Sequence, residues 1–94
     1  MKIKVFVLTQ VGRAANTETP TFVCVGVFST KTKAEEVMAK KKEDILNFYK
    51  KEYGEEDYEI YINDPTCCFG VECHDIPVYD ELLISEKTID AYED

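Results

Sequence analysis

Thr32 to Tyr53 reads T-K-A-E-E-V-M-A-K-K-K-E-D-I-L-N-F-Y-K-K-E-Y, with Gly54 directly after it. Apolar side chains recur at Ala34, Val37, Met38, Ile45, Phe48, Tyr49 and Tyr53, the three-and-four spacing of one helical face. Thr32 and Glu35 are spaced as a capping box, in which each side chain satisfies a backbone N–H of the first turn. Gly54 suits the left-handed residue that ends a helix, and Lys50 and Lys51 lie near the negative end of its dipole. At about 1.5 Å per residue this helix is roughly 33 Å long, the width of a small domain. The rest of so short a chain has to be built against it.

Residues 1–94 read as a single domain, and 45% hydrophobic content is enough for a modest core. Residues 2–11 read as a first strand. Ile3, Val5 and Val7 are on one face and Phe6 and Leu8 on the other, the pattern of a strand covered on both sides. Gly12 to Thr21 reads as a long hairpin loop, and Phe22 to Phe28 as a second strand with a bulge or close approach at Gly26. After the helix and the E-E-D turn, Tyr58 to Ile62 alternates as a third strand, ended by Asn63, Asp64 and Pro65. Further on, Cys68 to Cys73 reads as a short strand and Leu82 to Ile84 as the centre of another, with Ser85 capping a short terminal helix. A strand–helix–strand crossover is right-handed and makes the third strand parallel to the second. The expected fold is therefore α+β: a small single-layer, mostly antiparallel sheet with a ββαβ core packed on one long helix. Its strand order is 2-1-3, with a C-terminal extension. The sheet's second face would be covered by that extension, by a second copy in a homodimer, or by a partner.

The run Gly26-Val27-Phe28-Ser29-Thr30-Lys31-Thr32-Lys33-Ala34-Glu35-Glu36, following a V-F-V-L opening strand, resembles a group of short uncharacterised proteins common in bacteriophages and bacterial genomes. The resemblance covers about residues 3–62 and carries no catalytic residues. Beyond Asn63 the chain departs from that pattern. What the resemblance implies is a phage-like origin, and with it a counter-defence or host-takeover role.

Charge is distributed unevenly. Residues 1–51 hold ten Lys and Arg against five Asp and Glu, whereas residues 52–94 hold only Lys87 against fourteen acids, for a net charge of −8. A folded chain with such halves carries a directional field. Glu55, Glu56, Asp57 and Glu59 cluster at one turn, and Asp75, Asp80 and Glu81 follow, interleaved with Tyr58, Tyr61 and Tyr79. Tyrosine offers rigid contact area with a polar tip, so these ten residues form the expected partner-binding surface. The plainer reading is an acidic, solubilising face. Lys40, Lys41 and Lys42 form the one basic run, and direct nucleic-acid binding through them is disfavoured because the acidic half repels phosphates.

Cys67, Cys68, Cys73 and His74 supply enough soft ligands for zinc. Adjacent cysteines on an extended backbone point to opposite faces, and so do Cys73 and His74. A site built from Cys67, Cys73 and a third ligand such as Cys24 stays open, as does a disulfide between two of these thiols. Buried thiols with a surface histidine are the simpler expectation, and no metal or cofactor is assigned. Asp64 and Glu72 could hold magnesium in a nuclease, but the lysine expected after the acidic strand is missing. Nor does a glycine-rich elbow or a serine beside a histidine point to nucleophilic catalysis.

These observations converge on a non-enzymatic, anti-defence interaction protein, with no catalytic residues. It would bind and inhibit a basic host protein through the acidic C-terminal half, in its sharpest form as a nucleic-acid mimic. The alternative is a dimeric protein that sequesters a nucleotide signal, using Arg13, Lys40, Lys42 and the tyrosines. No apolar run is long enough for a membrane span or a signal-peptide core, so the expected location is cytoplasmic, or the host cytoplasm if phage-encoded.

Overall fold

The computed structural model describes residues 2–14 and 19–90. Five strands, β1 (Lys2–Arg13), β2 (Thr21–Phe28), β3 (Tyr58–Asp64), β4 (Cys68–Cys73) and β5 (Tyr79–Asp90), form one sheet in the order β2-β1-β5-β4-β3. Every neighbouring pair is antiparallel. The helix α1 (Lys31–Glu52) joins the two edge strands.

This arrangement overturns the expected ββαβ core of order 2-1-3. The strand beside β1 is β5, paired with it along its whole length from Lys2↔Asp90 to Arg13↔Tyr79. β3 lies at the far edge. Alternating directions across five strands leave β2 and β3 parallel to each other, as a crossover through a helix requires. The handedness rule does not say how many strands stand between them. The expected helix from Ser85 is replaced by the second half of β5, because residues 85–90 find a complete ladder along residues 2–7. The end of that expected helix, residues 91–94, lies outside the described residues, as does part of the β1–β2 loop.

The helix begins two residues earlier than a Thr32 cap requires. Thr30 has the extended backbone of an N-cap, and its Oγ1 accepts from the Lys33 N–H at 3.2 Å. Thr32 already lies in the first turn. At the other end Tyr53 and Gly54 both donate to the Tyr49 carbonyl, and Gly54 turns the chain out at φ +85. That left-handed conformation is the one expected at this position.

Packing is confined to one face of the sheet. Ala34, Met38, Ile45 and Tyr49 of the helix are buried against Leu8 of β1, Phe69, Val71 and Cys73 of β4, and Leu82 and Ile84 of β5. Tyr49 is the largest fully buried side chain. Its ring meets Tyr53 and Tyr58 edge-on at 5.4 and 5.7 Å. Its hydroxyl donates to Asp80 Oδ2 at 2.8 Å, and Gln10 Nε2 donates to the other carboxylate oxygen at 3.2 Å. Helix and two central strands are thereby tied by one polar network inside an apolar layer. Burial first, and then the bond to the Asp80 carboxylate, push the Tyr49 phenol well above its usual range. No helix among the described residues is long and apolar enough to cross a membrane.

Two predictions test this account. Thr30→Ala should destabilise by about 1 kcal/mol while Thr32→Ala is nearly neutral, read by chemical denaturation. Tyr49→Phe should cost about 1–3 kcal/mol at neutral pH, because the partly buried Asp80 keeps the Gln10 amide but loses the donor to its Oδ2. Because the Tyr49 phenol is raised in the folded state, its contribution is complete below the ordinary value of 10 and is lost as pH rises beyond it. Stability should then fall by about 1.4 kcal/mol per pH unit from this group, and Tyr49→Phe should remove that part of the slope.

Candidate functional site

The face of the sheet opposite the helix is covered by no element among the described residues. The strand register lays out its side chains in rows. The first runs Arg13, Tyr79, Glu72, Glu59, and the second runs Phe22, Val11, Glu81 and Gly70 to Ile62. The third holds Cys24, Thr9, Leu83 and Cys68, and the fourth Val27, Val7 and Ser85. Beyond them come Val5 with Lys87 and Ile3 with Ile89. Carboxylates and tyrosines thus gather at one end of a face whose middle is apolar.

Large side chains in that middle are open to solvent: Phe22 is 68% exposed, Val27 60%, Leu83 48% and Ile62 42%. A groove of about 460 Å³ runs across it, lined mainly by Val11, Phe22, Tyr61, Ile62, Cys68 and Leu83, with Glu81 on its wall. A bulge in β3 between Ile60 and Ile62 places Tyr61 across Gly70, where a Cβ would meet the tyrosine ring at 2.6 Å. Glycine at position 70 is what lets the ring lie flat on the strand. The Tyr61 hydroxyl donates to Glu81 Oε1. Partial burial, that bond and the nearby charge of Glu72 all push the phenol above its usual range.

Of the ten residues expected to bind a partner, the structure brings Glu59, Tyr61, Tyr79 and Glu81 together on this face. Asp57 and Asp75 belong to a second acidic cluster. With Glu52, Tyr53, Cys73 and Ile76 they line a smaller groove of about 300 Å³ at the C-terminal end of the helix. Glu55 is paired with Lys50 at 2.8 Å, and that ammonium holds its carboxyl below the usual range. Glu56 is exposed on the same turn. Tyr58 and Asp80 are not surface residues in the sense expected: Tyr58 packs on Tyr49, and Asp80 is spent on Tyr49 and Gln10. Residues that the acidic pattern missed are Glu72 and the apolar set Val11, Phe22, Ile62 and Leu83. The alternation of β1 on both faces was the signal for an apolar second face.

The cations considered for a nucleotide site do not converge. Lys42 Nζ donates to Asn63 Oδ1 at 2.8 Å and sits over the Phe69 ring, whereas Arg13 lines a different groove with Lys41, Phe48 and Tyr53. Among the described residues no three His, Cys, Asp or Glu side chains are grouped as metal ligands. The cysteines separate, with Cys24 exposed and Cys73 buried against the helix. Cys67 and Cys68 do not diverge as an extended backbone would require. Cys67 lies in the β3–β4 turn, where its N–H donates to the Asp64 carbonyl at 3.0 Å, and the two sulfurs are 3.0 Å apart.

No curated protein and no solved structure matches the chain. A family model described as a domain of unknown function, DUF7336, matches residues 3–73, from the start of β1 to the end of β4. That match spans most of the chain, and the protein belongs to the DUF7336 family.

Proposed function

We propose that this protein is a non-enzymatic binding module whose uncovered sheet face docks on a basic protein. The observation that supports this reading is the composition of that face: an open apolar band bounded at one end by Glu59, Glu72 and Glu81. Burial of Phe22, Leu83 and Ile62 would supply affinity, at about 1.5–3 kcal/mol for each fully buried side chain. The carboxylates would select a partner with lysines and arginines beside its own apolar patch, and speed its approach. A phage-like origin, implied by the resemblance over residues 3–62, would make the partner a host protein. The nucleic-acid mimic is the narrower form of the same reading. It draws its carboxylates from Glu59, Glu72 and Glu81 rather than from Asp80.

The test is capture from host lysate at low and moderate salt, using the wild type, Leu83→Asp, Glu59→Lys/Glu72→Lys and the helix-face control Lys40→Glu. A basic protein should be retained by the wild type and the control, weakened at least about tenfold by Leu83→Asp, and lost at lower salt in the double lysine variant. A captured protein indifferent to salt and to these faces would count against the proposal. So would a nucleotide that raises the melting point of the free protein, which favours the sequestering alternative.

A further inference from the structure

We infer that Cys67 and Cys68 form a bidentate thiol site for a monosubstituted trivalent arsenical, whose organic group would lie in the apolar groove of the open face. Three observations carry this. The sulfurs are 3.0 Å apart and both are partly accessible. Their backbone is held from both sides, since Cys67 donates to the Asp64 carbonyl and its own carbonyl accepts from the Ile84 N–H at 2.7 Å. Cys68 is also a wall of the groove that contains Tyr61, Ile62 and Leu83.

The bite of the pair decides which centre it suits. With metal–sulfur bonds of about 2.3 Å, sulfurs at 3.0 Å subtend about 80°. That is far below the tetrahedral angle zinc prefers, and only two thiols are present where zinc takes four ligands. A pyramidal centre with a lone pair and angles near a right angle is matched by a separation only slightly larger than the one observed. A disulfide is the other chemistry open to adjacent thiols. It requires contraction to about 2.05 Å between residues whose Cα atoms are about 3.8 Å apart, short of the usual disulfide range of about 4.4–6.8 Å, so it would be strained.

Capture is a condensation. Two As–S bonds form and two As–O bonds of an organoarsonous acid break. Each thiol proton leaves with a hydroxide as water, and arsenic stays trivalent throughout. The hydrogen bond with Cys68, burial and the neighbouring Asp64 carboxylate push the Cys67 thiol up to about 12. It therefore stays protonated at neutral pH, which slows reagents that need a free thiolate but not a centre that brings its own hydroxide.

The experiment titrates the full chain with phenylarsonous acid, supplied as phenylarsine oxide, and with methylarsonous acid. Binding is read by intact mass and by the number of thiols left reactive. One adduct that removes two thiols is expected, reversible by a small dithiol. Cys67→Ser and Cys68→Ser should each weaken binding by about a hundredfold, the loss of the chelate, with Cys24→Ser and Cys73→Ser unchanged. Leu83→Asp should weaken the phenyl compound by about tenfold and leave the methyl compound nearly unaffected. Circular dichroism of each variant separates lost binding from lost fold. The inference is overturned if the adduct maps to another cysteine pair. Equal binding by the two serine variants and the wild type, or an equal effect of Leu83→Asp on both compounds, overturns it too.

Discussion

One helix about 10 Å across cannot cover both faces of a five-stranded sheet, whose strands at about 4.8 Å spacing make it roughly 20 Å wide. The molecule's organisation follows from that constraint. The core is a strip beneath α1, drawn from Leu8, Phe69, Val71, Leu82 and Ile84, and the helix contributes only four buried positions. Within that strip the Tyr49 hydroxyl on Asp80 does what more apolar contacts would do in a larger domain. It fixes the helix to β5, and through Gln10 to β1. Outside the strip, apolar residues such as Phe22, Val27 and Leu83 remain in water.

The helix was legible in the sequence because amphipathic periodicity over 22 residues is a strong local signal, and its C-terminal glycine did what the left-handed position requires. Its start was displaced because Thr30 and Thr32 both offer a capping hydroxyl. The pairing of Phe28 with Phe6, not the cap chemistry, ends β2 just before Thr30. β5 was the main loss. Its second half, Ser85 to Asp90, has little hydrophobic character and local preferences that suit a capped turn of helix. It is a strand because β1 presents a full row of unpaired donors and acceptors there. Such pairing is a long-range property, and β propensity read locally does not contain it. With only the centre of β5 read, at Leu82 to Ile84, and no place given to it beside β1, β3 was set there instead and the order 2-1-3 followed.

The acidic surface was legible as composition and not as geometry. Period-two alternation within β3, β4 and β5 sends neighbouring acids to opposite sides: Glu81 outward with Tyr61, Asp80 inward with Tyr49. A list of carboxylates therefore mixes a polar core network, an ion pair at the helix end and a docking face. Register separates them. The same register shows why Glu72, which had been considered only as a metal ligand, stands between Glu59 and Tyr79 on the open face.

The adjacent cysteines show the converse case, in which a correct local rule is applied to the wrong backbone. Side chains one residue apart diverge on a strand, so Cys67 and Cys68 would be separated if both lay in β4. The turn decides otherwise. Asp64 accepts from the Thr66 N–H and hydroxyl as well as from the Cys67 N–H through its carbonyl, and this holds residues 65–67 out of the extended conformation. Asn63-Asp64-Pro65 was read as the end of a strand, and the same Asx turn is what brings the two thiols together. A feature expected to terminate β3 thus also positions a chemical group at the edge of the uncovered face, because in so small a sheet every turn borders the surface that the single helix leaves open.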